Sequence, residues 1–97
     1  MTKPEALRHD RSRELILETL APDYPAPVDS VVLRRVLGTL GHPLSMDDLD
    51  SYIAYLEEKD LVKTNKKPGG IVLVKITAKG IDALDERIAV KGVGQEI

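Results

Sequence analysis

Cysteine is absent from the 97 residues, which excludes disulfides, thiol nucleophiles and cysteine-ligated zinc and leans toward a reducing compartment. Phenylalanine and tryptophan are missing too, and the aromatics are three tyrosines. A core must therefore be assembled from many leucine, isoleucine and valine contacts, which suits a small helical domain. No apolar run approaches the ~20 residues that span a bilayer, and "MTKPEALRHDRSREL" lacks the apolar stretch of a signal peptide. A soluble, cytoplasmic protein without membrane contact is expected. Histidine is scarce: His42 stands before Pro43 in a turn and His9 in a charged helix, where solvent exposure or local capping is expected and neither has an evident nucleophile partner.

Two chemical motifs fail on spacing. Counting an EF-hand loop from Asp48 puts Tyr52 at the fifth position, Ile53 where glycine is required and Lys59 where the bidentate acid belongs. "PGGIVLVKITAKG" lacks the Gly-x-x-x-x-Gly-Lys spacing of a phosphate-binding loop, and a turn explains Gly69 and Gly70. No catalytic residue, no metal and no cofactor is expected.

The length suits one domain spanning residues 1–97. Its net charge of −2 conceals a division along the chain. Between residues 45 and 60, Asp47, Asp48, Asp50, Glu57, Glu58 and Asp60 face only Lys59, whereas between 61 and 79, Lys63, Lys66, Lys67, Lys75 and Lys79 face no acid. Two opposed patches are expected.

Periodicity supplies the elements. A first helix lies within residues 5–20, with Leu15, Ile16, Leu17 and Leu20 spread widely enough to bury two faces. "APDYPAP" ends it, because proline withdraws backbone donors and fixes φ. Asp29 or Ser30 caps a second helix whose apolar positions are Val32, Val36, Leu37 and Leu40, closed by a left-handed Gly41. Ser45, followed by Asp48, resembles a capping box for a third helix with Leu49, Tyr52, Ile53 and Leu56 on one face. The period then becomes extended. "LVKTNKK" and "IVLVKIT" flank "PGG" and predict two antiparallel strands at about 61–76. Thr77 caps a last helix at about 77–90, with Ile81, Leu84 and Ile88 as its buried stripe, before an irregular tail at 91–97.

This order of mainly α structure with one β-hairpin is the layout of a winged helix-turn-helix domain: three helices, a two-stranded wing and a C-terminal helix. "LSMDDLDSYIAYLEEKDLV" resembles helix three of that superfamily running into the wing, and "ITAKGIDAL" resembles the start of the C-terminal helix in MarR, PadR and ArsR-like families, with Gly80 allowing close helix packing. More narrowly, "RSRELILETLA", "LGTLGHPLSMDDLDSYIAYLEEKDLV" and "ITAKGIDALDERIAVKGV" look like a small winged-helix family of Mu-like transposable phages and prophages. That resemblance implies a phage protein in the cytoplasm of a bacterial host, encoded near terminase and head genes.

Function then turns on the charge split. Helical steps of 100° place Asp47, Ser51, Ala54 and Glu58 opposite the buried stripe of helix three. Groove reading mostly uses Arg, Lys, Asn or Gln, and this face offers none of them. The acids suit the helix dipole but oppose a phosphate. The wing differs, since Lys63, Lys66 and Lys67 near a glycine tip can meet phosphates of DNA, although lysine also blunts exposed strand edges. Arg8, Arg11 and Arg13 could widen the basic surface, but Asp10 and Glu14 are local partners. The leading expectation is a nucleic-acid-associated protein with backbone contacts from Lys63, Lys66 and Lys67. The alternative is an adaptor for phage proteins, with Asp47, Asp50, Ser51, Ala54, Tyr55 and Glu58 as its partner surface. A homodimer through the terminal helices is expected in either case.

Overall fold

The computed structural model describes residues 4–85. Its elements run α1 (Pro4–Leu20), a 3-10 turn (Ala21–Asp23), β1 (Val28–Asp29), α2 (Ser30–Thr39), α3 (Met46–Glu58), β2 (Val62–Lys67), β3 (Ile71–Ile76) and α4 (Ala78–Asp85). The expected tail, Ile88 and the last helix beyond Asp85 lie outside the described residues.

Local chemistry sets the helix boundaries. Asp29 caps α2, its carboxylate accepting from the Val31 N–H at 2.7 Å. At the other end Gly41 takes φ +82° and the His42 N–H reaches back to the Leu37 carbonyl at 2.9 Å, a closure that needs a left-handed residue. The Ser45 hydroxyl accepts from the Asp48 N–H at 3.0 Å at the start of α3. The end of α3 repeats the closure seen after α2: the Leu61 N–H bonds the Leu56 carbonyl at 2.9 Å, with Asp60 at φ +63° in the place of glycine. A short polar side chain tolerates that conformation better than most.

The sheet has three antiparallel strands in the order β1-β3-β2. The hairpin is the expected one, closed by Pro68–Gly70 with Gly69 and Gly70 at positive φ. β1 is an addition to the two strands expected from sequence. Two residues are too short to show a period, and the strand exists because Val28 pairs with Val74 and Asp29 with Leu73.

Ile16, Leu17 and Leu20 of α1 meet Leu33 and Leu37 of α2, Leu49, Ile53 and Leu56 of α3, and Leu61, Val62, Val74 and Ile76 of the hairpin in one buried core. Each such side chain contributes ~1.5–3 kcal/mol by leaving water. The face expected for α2 needs correction. Only Leu37 of the four named residues is buried; Val32 is 47% exposed, Val36 36% and Leu40 59%, and Ser30 and Leu33 face the core instead. Aliphatic residues flank the true face so closely that helical spacing alone allows either choice.

Thr77 caps α4 as expected, its hydroxyl accepting from the Gly80 N–H at 3.1 Å and donating to the Asp60 carbonyl at 2.7 Å. Ile81 and Leu84 are half-buried against the core. Gly80 permits a close approach, but to the Leu61 backbone and the Ile76 side chain rather than to another helix.

Candidate nucleic-acid interface

β2 alternates, and the alternation divides its lysines. Val62 is buried and Thr64 half-buried toward the helices, while Lys63, Asn65 and Lys67 are exposed. Lys66, also exposed, follows the inward phase of the register and lines a cleft of about 390 Å³ with Asp50, Ile53, Ala54 and Glu57 of α3 and Thr64 and Val72 of the hairpin. Lys63 turns the other way, opposite Lys75 in the register. The three lysines singled out from sequence therefore do not share a face, and the two expected patches interleave: one lysine stands among α3 acids and the others are behind the sheet.

Glu57 is also diverted from the acidic surface. Its Oε2 accepts from the Thr64 N–H at 3.2 Å and from the Thr64 hydroxyl at 2.9 Å. β2 is an edge strand, so the carboxylate covers a backbone donor that another strand could otherwise pair with.

On α3, Asp47, Asp50, Ser51, Ala54 and Glu58 are all exposed. Tyr55 is different: half-buried, with the Arg13 guanidinium 3.8 Å from its ring centre and Lys59 Nζ 5.5 Å away. An aromatic face already covered by a cation is no open apolar anchor. Arg11 and Arg13 meet Glu14 at 2.7 Å and Asp10 at 3.4 Å, the local pairing expected of α1.

Comparison with protein-family models, with characterised proteins and with solved structures yields no match. What this surface can do is set by its own side chains.

The histidines have partners that sequence spacing concealed. His42 Nε2 lies 2.7 Å from the Ser12 hydroxyl and His9 Nδ1 lies 2.7 Å from the Tyr52 hydroxyl, in a cleft of about 430 Å³ that also includes Arg8 and Asp48. Ser12 donates to the Arg8 carbonyl at 2.9 Å and is 0% exposed. Its proton is thus committed to a carbonyl, so the imidazole N–H donates to Ser12. That arrangement ties α1 to the turn before α3. Among the described residues no group of three His, Cys, Asp or Glu could hold a metal ion, and no helix is long and apolar enough to cross a membrane.

The sequence pattern puts Lys75 in the basic segment without pairing it with Lys63. Counting outward from the Pro68–Gly70 loop is the signal that finds it, because equal strand lengths set Lys63 opposite Lys75.

Proposed function

We propose that the chain is a non-enzymatic winged-helix protein of phage or prophage origin that associates with nucleic acid through backbone contacts from its hairpin wing. The order α1, β1, α2, α3, β2, β3 supports the fold, and one observation carries the function: the hairpin presents Lys63, Lys66, Lys67 and Lys75 with no acid between Leu61 and Lys79. Lysine donates to phosphate without reading a base, and α3 presents acids where a base-reading helix usually carries Arg, Lys, Asn or Gln. The protein is thus suited to gripping a duplex with little regard for sequence.

Binding to a short random duplex across a salt series tests this, comparing the native chain with a Lys63→Glu, Lys66→Glu, Lys67→Glu variant of matched melting behaviour. The native log K is expected to fall linearly with log salt, by ~0.9 for each phosphate neutralised, and the variant to lose binding. Absence of binding even at low salt overturns the proposal.

The exposed acids of α3 favour a second reading, an adaptor whose Asp47, Asp50 and Glu58 meet a basic protein partner in phage development or packaging. Charge complementarity steers such encounters and sets their orientation. Homodimerisation through the terminal helices is compatible with both readings, and light scattering on the full chain measures it.

A further inference from the structure

The geometry points to a phosphoryl-binding pocket behind the hairpin, on the sheet face turned away from α3, with Lys63 and Lys75 as its cationic jaws. The two lysines are direct cross-strand partners. Directly opposed residues on neighbouring strands have Cβ atoms ~4.5–5.5 Å apart, and like charges so placed repel. A pair of this kind costs stability in the free protein unless an anion sits between the ammonium groups.

Among the described residues no acid lines that place. Among the described residues neither Lys63 nor Lys75 makes an ion pair, and the trough they border, about 300 Å³, is lined otherwise by Pro25, Pro27, Thr64, Asn65 and Leu73. Lys75 is half-buried, so its charge is screened less than a fully solvated one. Asn65, two residues along β2 on the same face as Lys63, adds an amide donor. Leu73 and the two prolines make an apolar wall against which the sugar carrying a phosphoryl group can rest. Such a volume is at the small end of ligand pockets, ~300–1,000 Å³. Two flexible ammonium groups suit a phosphoryl oxygen cluster as point charges.

The shared chemistry is a phosphoryl group, from a nucleic-acid backbone or from a free nucleotide. Only the first source rests on the function proposed above; the pocket stands without it. The test follows the amide resonances of Lys63, Asn65, Leu73 and Lys75 in the full chain during separate titrations with inorganic phosphate, a nucleoside monophosphate and a short duplex. Native protein, Lys75→Gln, Lys63→Gln and, as the opposite-face control, Lys66→Gln are compared at matched ionic strength in chloride. Saturable shifts at these four residues are expected, weakened at least tenfold by Lys75→Gln or Lys63→Gln and, with inorganic phosphate and the nucleoside monophosphate, unchanged by Lys66→Gln.

Melting adds a second readout. Lys75→Gln should melt no lower than the native chain without phosphate, since repulsion is relieved, and should lose the upward shift that phosphate gives the native protein. Saturation by phosphate and nucleotide without duplex binding supports the pocket and overturns the nucleic-acid reading. Phosphate and nucleotide shifts indifferent to both lysine substitutions overturn the pocket, and duplex binding that persists beside them leaves that reading intact. No saturable shift with any of the three probes overturns the pocket.

Discussion

At Gly80 the absence of a side chain is what lets α4 close on the hairpin. A β-carbon there would stand 2.5 Å from the Leu61 carbonyl oxygen and 2.6 Å from Ile76 Cγ1. The carbonyl cannot yield easily, because it already accepts from the Thr77 N–H at 3.0 Å. Gly80→Ala is therefore expected to destabilise the protein by ~1–3 kcal/mol through overpacking. For a domain of this size each kcal/mol corresponds to about 4–8 °C in thermal midpoint, so a melt followed by circular dichroism measures it. A variant melting at the native temperature would show that this junction is looser than the contacts imply. Thr77 acts at the same junction by a different means, holding the Gly80 N–H and the Asp60 carbonyl together with one hydroxyl.

Among the elements, α2 separates packing from pattern most clearly. Leu33→Ala should cost ~2–5 kcal/mol as a cavity-forming change in a buried site, whereas Val32→Lys, at a position 47% exposed, should stay within ~0.5 kcal/mol. Denaturant midpoints of the two variants check the assignment, and reversed costs would restore the face that spacing alone suggests. The other elements were largely legible, for reasons that differ. Ser45, Thr77 and Gly41 mark helix ends through bonds made within a few residues, and the apolar face of α3 is unambiguous because acids occupy its other side. β1 was not legible, since its two residues acquire strand geometry only from a partner at residues 73 and 74. The candidate interface was legible in charge but not in direction. Lys63, Lys66 and Lys67 lie close together in sequence, while the pleat sends Lys66 toward α3 and Lys63 to the face it shares with Lys75. The histidine contacts join residues 30 and 43 positions apart, beyond the reach of any local pattern.

On the scale of the whole molecule, a net charge of −2 says little about behaviour toward a polyanion, because the acids of α3 and the lysines behind the hairpin meet different surroundings. Reversing the exposed acids with Asp47→Lys and Asp50→Lys should strengthen duplex binding and steepen its salt slope by up to ~0.9 for each new phosphate contact. A slope identical to the native one would place α3 away from the nucleic acid. β3 lies between β1, drawn from the chain ahead of α2, and β2, drawn from the chain after α3. Its pairing therefore unites segments some 45 positions apart, as in Val28 with Val74, and such long-range closure is entropically slow to achieve. The core shares side chains of α1, α2, α3 and β3, so the helices and the sheet bury one common set of residues. Native-state hydrogen exchange should accordingly show the amides of β3 and the core turns of α1 and α2 opening together, at the free energy of global unfolding, rather than as separable units.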